Sequence, residues 1–155
     1  MIRRPTAVAH KDTRGALDAA ALNGAIGYLA TRAEIRLRRA FLRGNAGLEL
    51  RPVEFSVLAL LAANSKATQK QLGRALEVSA PNMAVVLERM EERKWIRRAR
   101  NPEDRREQFV EITPAGRKLA DQSMARTLQA EAGFLRRLTY AERQLLAELL
   151  QKIGD

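Results

Sequence analysis

The stretch from Thr68 to Thr113 constrains this chain most, because its periodicity changes twice within 46 residues. Thr68 with Gln71 three residues on forms a capping-box pattern, in which each side chain satisfies a backbone N–H left unpaired at a helix start. Leu72, Ala75 and Leu76 then fall on one face of a short helix. Glu77-Val78 makes a turn, and Ser79 opens a second helix with Pro81 in its first turn, where a missing N–H costs nothing. Val85, Val86, Leu87 and Met90 supply its apolar residues.

Beyond that helix the period shortens. Trp95-Ile96 and Gln108-Phe109-Val110-Glu111-Ile112 carry the aromatic and β-branched residues that suit strands, with a turn at Asn101-Pro102-Glu103-Asp104 between them. Arg98, Arg100, Arg105 and Arg106 lie at or near the tip of this hairpin. Two helices followed by a basic hairpin describe a winged helix-turn-helix, and duplex DNA is the expected partner. The expected fold is therefore mainly α with a small β-wing.

Charge supports a polyanionic partner: the formal net charge is +10, with basic residues in excess in residues 1–51 and 66–118 and balanced by acidic ones in 119–155. Catalytic and metal chemistry find little to work with. Cysteine is absent and His10 is the single histidine, so thiol-based sensing and zinc binding are not expected, nor is any cofactor. A nucleophile with an adjacent base and a glycine-rich phosphate loop are likewise missing, so the chain is not expected to be an enzyme. No apolar run approaches the ~18 residues that a membrane span requires, and Met1-Ile2-Arg3-Arg4 is not followed by a signal-like apolar segment. A cytoplasmic location and no membrane partner are the expectations.

Four regions are expected: a flexible arm over 1–14, an N-terminal helix within 15–50, the winged helix-turn-helix over 51–113, and C-terminal helices over 114–155. The first helix, from about Ala16 to Arg43, carries an apolar stripe of Ile26, Leu29, Ala33, Leu37, Ala40 and Phe41, and Gly44-Asn45-Ala46-Gly47 ends it. Thr113-Pro114 starts a long helix running to about Leu138. Thr139 with Glu142 is a second capping box, before a last helix bearing Leu145, Leu146, Leu149, Leu150 and Ile153.

From Leu50 to Met124 the chain resembles the MarR family of bacterial and archaeal regulators. The resemblance rests on Leu50-Arg51-Pro52-Val53-Glu54-Phe55-Ser56-Val57-Leu58, on Gln71 through Ser79, on Pro81-Asn82-Met83 with Glu88-Arg89-Met90-Glu91, and most specifically on Asn101-Pro102-Glu103-Asp104-Arg105-Arg106 followed by Ile112-Thr113-Pro114-Ala115-Gly116-Arg117. It implies that the flanking helices of two subunits interlock as a homodimer, although the apolar stripes also suit packing within one subunit. Two recognition helices would then meet a pseudo-palindromic operator, with repression the usual mode. Two departures bear on stability. Arg51 replaces a Thr or Ser helix cap, and Lys94 replaces a glycine whose left-handed backbone would strain a lysine by about 1 kcal/mol.

Within that frame Ser79, Pro81, Asn82 and Val85 face base edges, Asn82 matching adenine and Val85 a thymine methyl, unless Ser79 only caps and Val85 packs inward. Gln69, Lys70 and Arg74 are placed on phosphate, and Arg105 and Arg106 at the minor groove. Arg89 joins the DNA-binding set and is also the candidate partner of Asp104, a residue read as holding the wing in shape. Arg32, Arg36, Arg39 and Arg43 share one helix face. They are either a solvated row or, for Arg32 and Arg36 with Phe55 nearby, the site of a small anionic aromatic effector such as a phenolic carboxylate or an aromatic acyl-CoA. The alternative function is a DNA-coating protein that binds duplex by charge alone.

Overall fold

The computed structural model describes residues 17–64, 66–100 and 108–154. Its chain divides into two units, Met1–Ile35 and Arg36–Asp155, each described by itself below.

In the first unit a single 3-10 turn, Ala20–Leu22, precedes the start of helix α1 (Ile26–Gly44). The helix expected from about Ala16 thus begins ten residues later. The Asp18 carboxylate accepts from the Ala20 N–H at 2.9 Å, and Asn23-Gly24 follows. Local side-chain bonding and two poor helix formers together break the run that alanine content alone would favour. Within α1, Ile26 and Leu29 are exposed and the Arg32 guanidinium lies 5.6 Å from the centre of the Tyr28 ring.

The second unit is organised around α2 (Pro52–Asn64), which packs against α4 (Ala80–Glu92), α5 (Pro114–Leu135) and the strands. Val57, Leu58 and Leu61 on α2 are fully buried, as are Met83, Leu87 and Met90 on α4. Leu72 of α3 (Gln69–Ala75), Ile96, Val110 and Leu119 complete the core. One sequence expectation is corrected here, since Ala75 of α3 is exposed; on α4 Met83 joins Leu87 and Met90 on the inward face, while Val85 stays outside it. From α1 only Ala40 and Phe41 of the proposed stripe are buried.

The wing is a three-stranded antiparallel sheet ordered β1-β3-β2, from β1 (Lys66–Thr68), β2 (Ile96–Arg100) and β3 (Gln108–Ile112). Strand β1 was not anticipated. Three residues carry no readable alternation, and its identity comes from pairing with β3, Ala67 opposite Val110. Thr68 ends this strand and caps α3, accepting from Gln71 N at 3.2 Å while its own N–H donates to Gln71 Oε1 at 2.8 Å.

Both turns of the motif use left-handed residues. Glu77 has φ 52° and Lys94 φ 59°. In each case the next N–H reaches back over the helix end, Val78 to the Gly73 carbonyl at 2.9 Å and Trp95 to the Met90 carbonyl at 3.0 Å, which is the Schellman arrangement. Thr113 then joins wing to helix: its hydroxyl donates toward the Lys94 carbonyl at 2.7 Å and accepts from Gly116 N at 3.0 Å. A β-carbon on Gly116 would stand 2.0 Å from the Trp95 oxygen, so only glycine fits.

Helix α6 (Tyr140–Gly154) starts at the expected second capping box, with Thr139 N donating to Glu142 Oε2 at 2.7 Å and Glu142 N to Thr139 Oγ1 at 3.3 Å. The bond from Thr139 N, and second a bond in which the Thr139 hydroxyl donates to the same Oε2 at 2.9 Å, hold the Glu142 carboxyl below its ordinary value. Glu131 on α5 moves the other way, raised by burial. Every residue of α6 is exposed. Among the described residues no helix is long and apolar enough to cross a membrane, and no cluster of candidate metal ligands occurs.

Candidate DNA interface

Helix α4 presents one face of its first two turns to solvent. Pro81 stands at the helix start, where its fixed φ is already helical. Ser79 occupies the N-cap position with extended ψ 149°, yet its hydroxyl forms no cap bond. Asn82 is exposed, and Val85 is 60% exposed, which removes the reading that it packs inward. Burial of Met83, Leu87 and Met90 on the opposite side determines this facing. The structure therefore brings Ser79, Pro81, Asn82 and Val85 together at the exposed start of one helix.

The supporting helix α3 contributes Gln69, Lys70 and Arg74. Gln69 is half-buried, and its amide donates to the Ala80 carbonyl at 3.1 Å, tying the start of α3 to the start of α4. Lys70 and Arg74 are exposed, and no carboxylate among the described residues pairs with either. Both line an open groove of about 990 Å³ between α3, the start of α4 and the wing strands, with Ser79, Arg98 and Gln108 on the other side. Sequence reading missed this groove and the place of Gln108 in it, because the two sides are brought together only by the β-sheet.

Two arginines of β2 are engaged within the chain. Arg98 pairs with Glu91 at 3.1 Å and Arg97 with Glu111 at 2.7 Å, while Arg100 is exposed at the end of β2. Arg89, expected in the DNA-binding set, is held within the chain: its Nη1 pairs with the buried carboxylate of Glu54, and its Nη2 donates to the Glu49 carbonyl at 3.0 Å. Among the described residues the buried carboxylate of Glu54 is the acidic partner of Arg89, and the expected pairing with Asp104 falls outside them. Glu54 also explains how α2 starts without a Thr or Ser cap, since its Oε2 accepts from Arg51 N at 2.8 Å. Asp104, Arg105 and Arg106 lie outside the described residues, as does His10.

The three residues assigned to an effector lie on α1 and α2. Arg32 stacks on Tyr28 in the first unit. Arg36 is exposed in the second, where Phe55 is half-buried with its ring 5.4 Å from that of Phe41, tilted by 53°.

An exposed helix start beside free cations and a wing is a nucleic-acid reading head, and comparison with known proteins agrees. A model described as MarR family matches residues 47–107. Repressor CouR bound to a 23-mer DNA duplex is similar over 91% of this chain and all of that one, with 29% identity and a TM-score of 0.83. The winged helix-turn-helix of this chain is of the MarR type. The chain is a DNA-binding transcriptional regulator of the winged helix-turn-helix type. BpsR of Bordetella bronchiseptica, whose DNA binding is regulated by 6-hydroxynicotinic acid, is 28% identical with a TM-score of 0.75, over 84% of this chain and 98% of that one. The HTH-type transcriptional repressor NicR of Pseudomonas putida is 26% identical over 130 residues, covering 84% of this chain and 82% of NicR.

Proposed function

We propose that this MarR-type regulator is a homodimeric, cytoplasmic repressor that binds a pseudo-palindromic operator and leaves it when a small anionic aromatic ligand binds. The carrying observation is the exposed start of α4, where an amide and an apolar side chain, Asn82 and Val85, stand free beside the unpaired cations Lys70 and Arg74. Asn82 suits the paired donor and acceptor of adenine, and Val85 suits a thymine methyl. Lys70 and Arg74, joined by Gln69 and by Arg105 and Arg106 of the wing, supply phosphate and minor-groove contacts.

The homodimer is supported by exposed aliphatic residues on α5 and α6 that no other described residue covers, among them Leu128, Leu145, Leu149 and Leu150. A two-fold pair sets two α4 helices about one helical turn of DNA apart. For the ligand, Arg36 supplies a cation and Phe55 an aromatic surface, and BpsR gives a relative regulated by an aromatic acid. Release follows if the ligand prefers a dimer geometry that no longer matches the groove spacing.

The test is fluorescence anisotropy at near-physiological salt, with the DNA upstream of the protein's own gene against a scrambled duplex, followed by aromatic acids and their CoA thioesters as competitors. Preference for the first duplex by about a thousandfold is expected of a specific regulator. Equal and steeply salt-dependent binding to every duplex offered would instead identify a DNA-coating protein. With a competitor found, Arg36→Ala should lose the response while keeping DNA affinity.

A further inference from the structure

The start of α4 carries the residues that face DNA, but its other half is held from an unexpected direction. Arg89 and Arg93 are four residues apart and so lie on one face of the helix. Arg89 reaches the carboxylate of Glu54 with one nitrogen and the carbonyl of Glu49 with the other. Arg93 pairs with the Glu49 carboxylate at 2.7 Å and lies 5.0 Å from the centre of the Trp95 ring. Apart from Trp95, these partners are Glu49, in the segment that joins α1 to α2, and Glu54, in the first turn of α2. Glu49 has φ 51°, a left-handed backbone that non-glycine residues adopt at a cost.

Glu54 is the informative member. Its side chain is completely buried, and both carboxylate oxygens are used, one by Arg51 N and one by Arg89. Withdrawing a carboxylate from water is costly, and an apolar pair of similar volume often does as well or better for stability. What a buried, hydrogen-bonded ion pair supplies that an apolar contact does not is direction: a bond to a fixed carboxylate fixes the roll of the helix about its axis, whereas apolar surfaces slide. A reading helix must hold its side chains to within about half an ångström and 10–20° of their partners.

We propose that Glu54 and Arg89 are positioning residues for sequence reading: they touch no DNA and set the roll of α4, so that Asn82 and Val85 meet the base edges. Glu49 and Arg93 reinforce the same setting at the surface. The segment leaving α1 is thereby fastened to the reading helix, which gives any rearrangement of α1 a direct route to DNA affinity. This inference rests on the reading proposed above, in which the protein binds one duplex sequence in preference to others.

The test uses the full-length protein, the tightest duplex it selects from a random pool, and an unselected duplex, over a range of salt concentrations. Glu54→Gln keeps the shape and the bond from Arg51 N but removes the charge facing Arg89. Its affinity for the selected duplex should fall about tenfold or more, with affinity for the unselected duplex and the salt slope unchanged. Arg89→Lys should show the same selective loss. A uniform loss on both duplexes with the salt slope reduced by about one would make Arg89 a phosphate contact and overturn the proposal, as would wild-type affinity in Glu54→Gln. If Glu54→Gln does not fold, Glu49→Ala decides, because Glu49 is 71% exposed and dispensable to the core. A selective loss of about threefold there supports the proposal, and no loss overturns it. A wild-type protein that selects no duplex at all overturns the repressor reading and this inference with it.

Discussion

Helices α2 and α6 are of similar length, 13 and 15 residues, and both are rich in leucine, yet they meet opposite fates. Helix α2 is apolar nearly all round, and Val57, Leu58 and Leu61 disappear completely between α4, α5 and the sheet. Helix α6 is amphipathic, and Leu145, Leu146, Leu149, Leu150 and Ile153 remain between 41% and 71% exposed. An all-round apolar helix needs neighbours on every side, and this chain supplies them. A striped helix needs one partner face, and the described residues do not provide it. The winged unit is thus complete in one chain, while the tail is half of something, which is the physical case for a second copy.

The largest effect should come from breaking the completed side. Leu58→Ala removes a fully buried side chain from the centre of the core and should cost about 2–5 kcal/mol in urea unfolding, with specific DNA binding weakened in proportion to the loss of folded protein. Breaking the other side should separate assembly from folding. Leu146→Glu combined with Leu150→Glu should give monomers by sedimentation velocity, with the helical signal of the winged unit retained and operator affinity reduced by about a hundredfold as one of two reading heads is lost. A paired variant that stays dimeric would show that α6 finds its cover elsewhere.

Smaller changes sharpen the contrast between a fixed reader and a marginal tail. Lys94→Gly relieves the left-handed lysine at the end of α4 and should raise stability by up to about 1 kcal/mol in the same urea experiment. The α6 cap should respond to acid. Because the folded-state pKa of Glu142 is lowered, its contribution is fully present above the ordinary carboxylate range and is lost as pH falls through the folded value. Helical signal lost by the tail between about pH 5 and about pH 3 should therefore be smaller in Glu142→Gln, which has no such charge to lose.

What was legible in the sequence follows the same division between local and distant. Both capping boxes, Thr68 with Gln71 and Thr139 with Glu142, span three residues and were readable as patterns; the structure forms both. So were the helix start at Pro81 and the left-handed turn at Lys94. The facing of α4 was only half legible, because Met83, Val85 and Val86 are all apolar and neighbouring, and tertiary packing chose Met83. Strand β1 and the groove beside Gln108 depend on sheet pairing that three residues cannot announce. Glu54 and Arg89 are 35 residues apart, and no spacing rule joins them. A lone glutamate on an otherwise apolar α2 was the available clue, since such a charge is kept only when something pairs with it.

The most direct test of the account is the stoichiometry of the protein–DNA complex, by sedimentation equilibrium on duplexes of increasing length that each contain one selected site. Two chains per duplex at every length is the predicted result, as expected when a complete reader must be doubled through an incomplete tail. One chain per duplex, or a number that grows with duplex length, would contradict it.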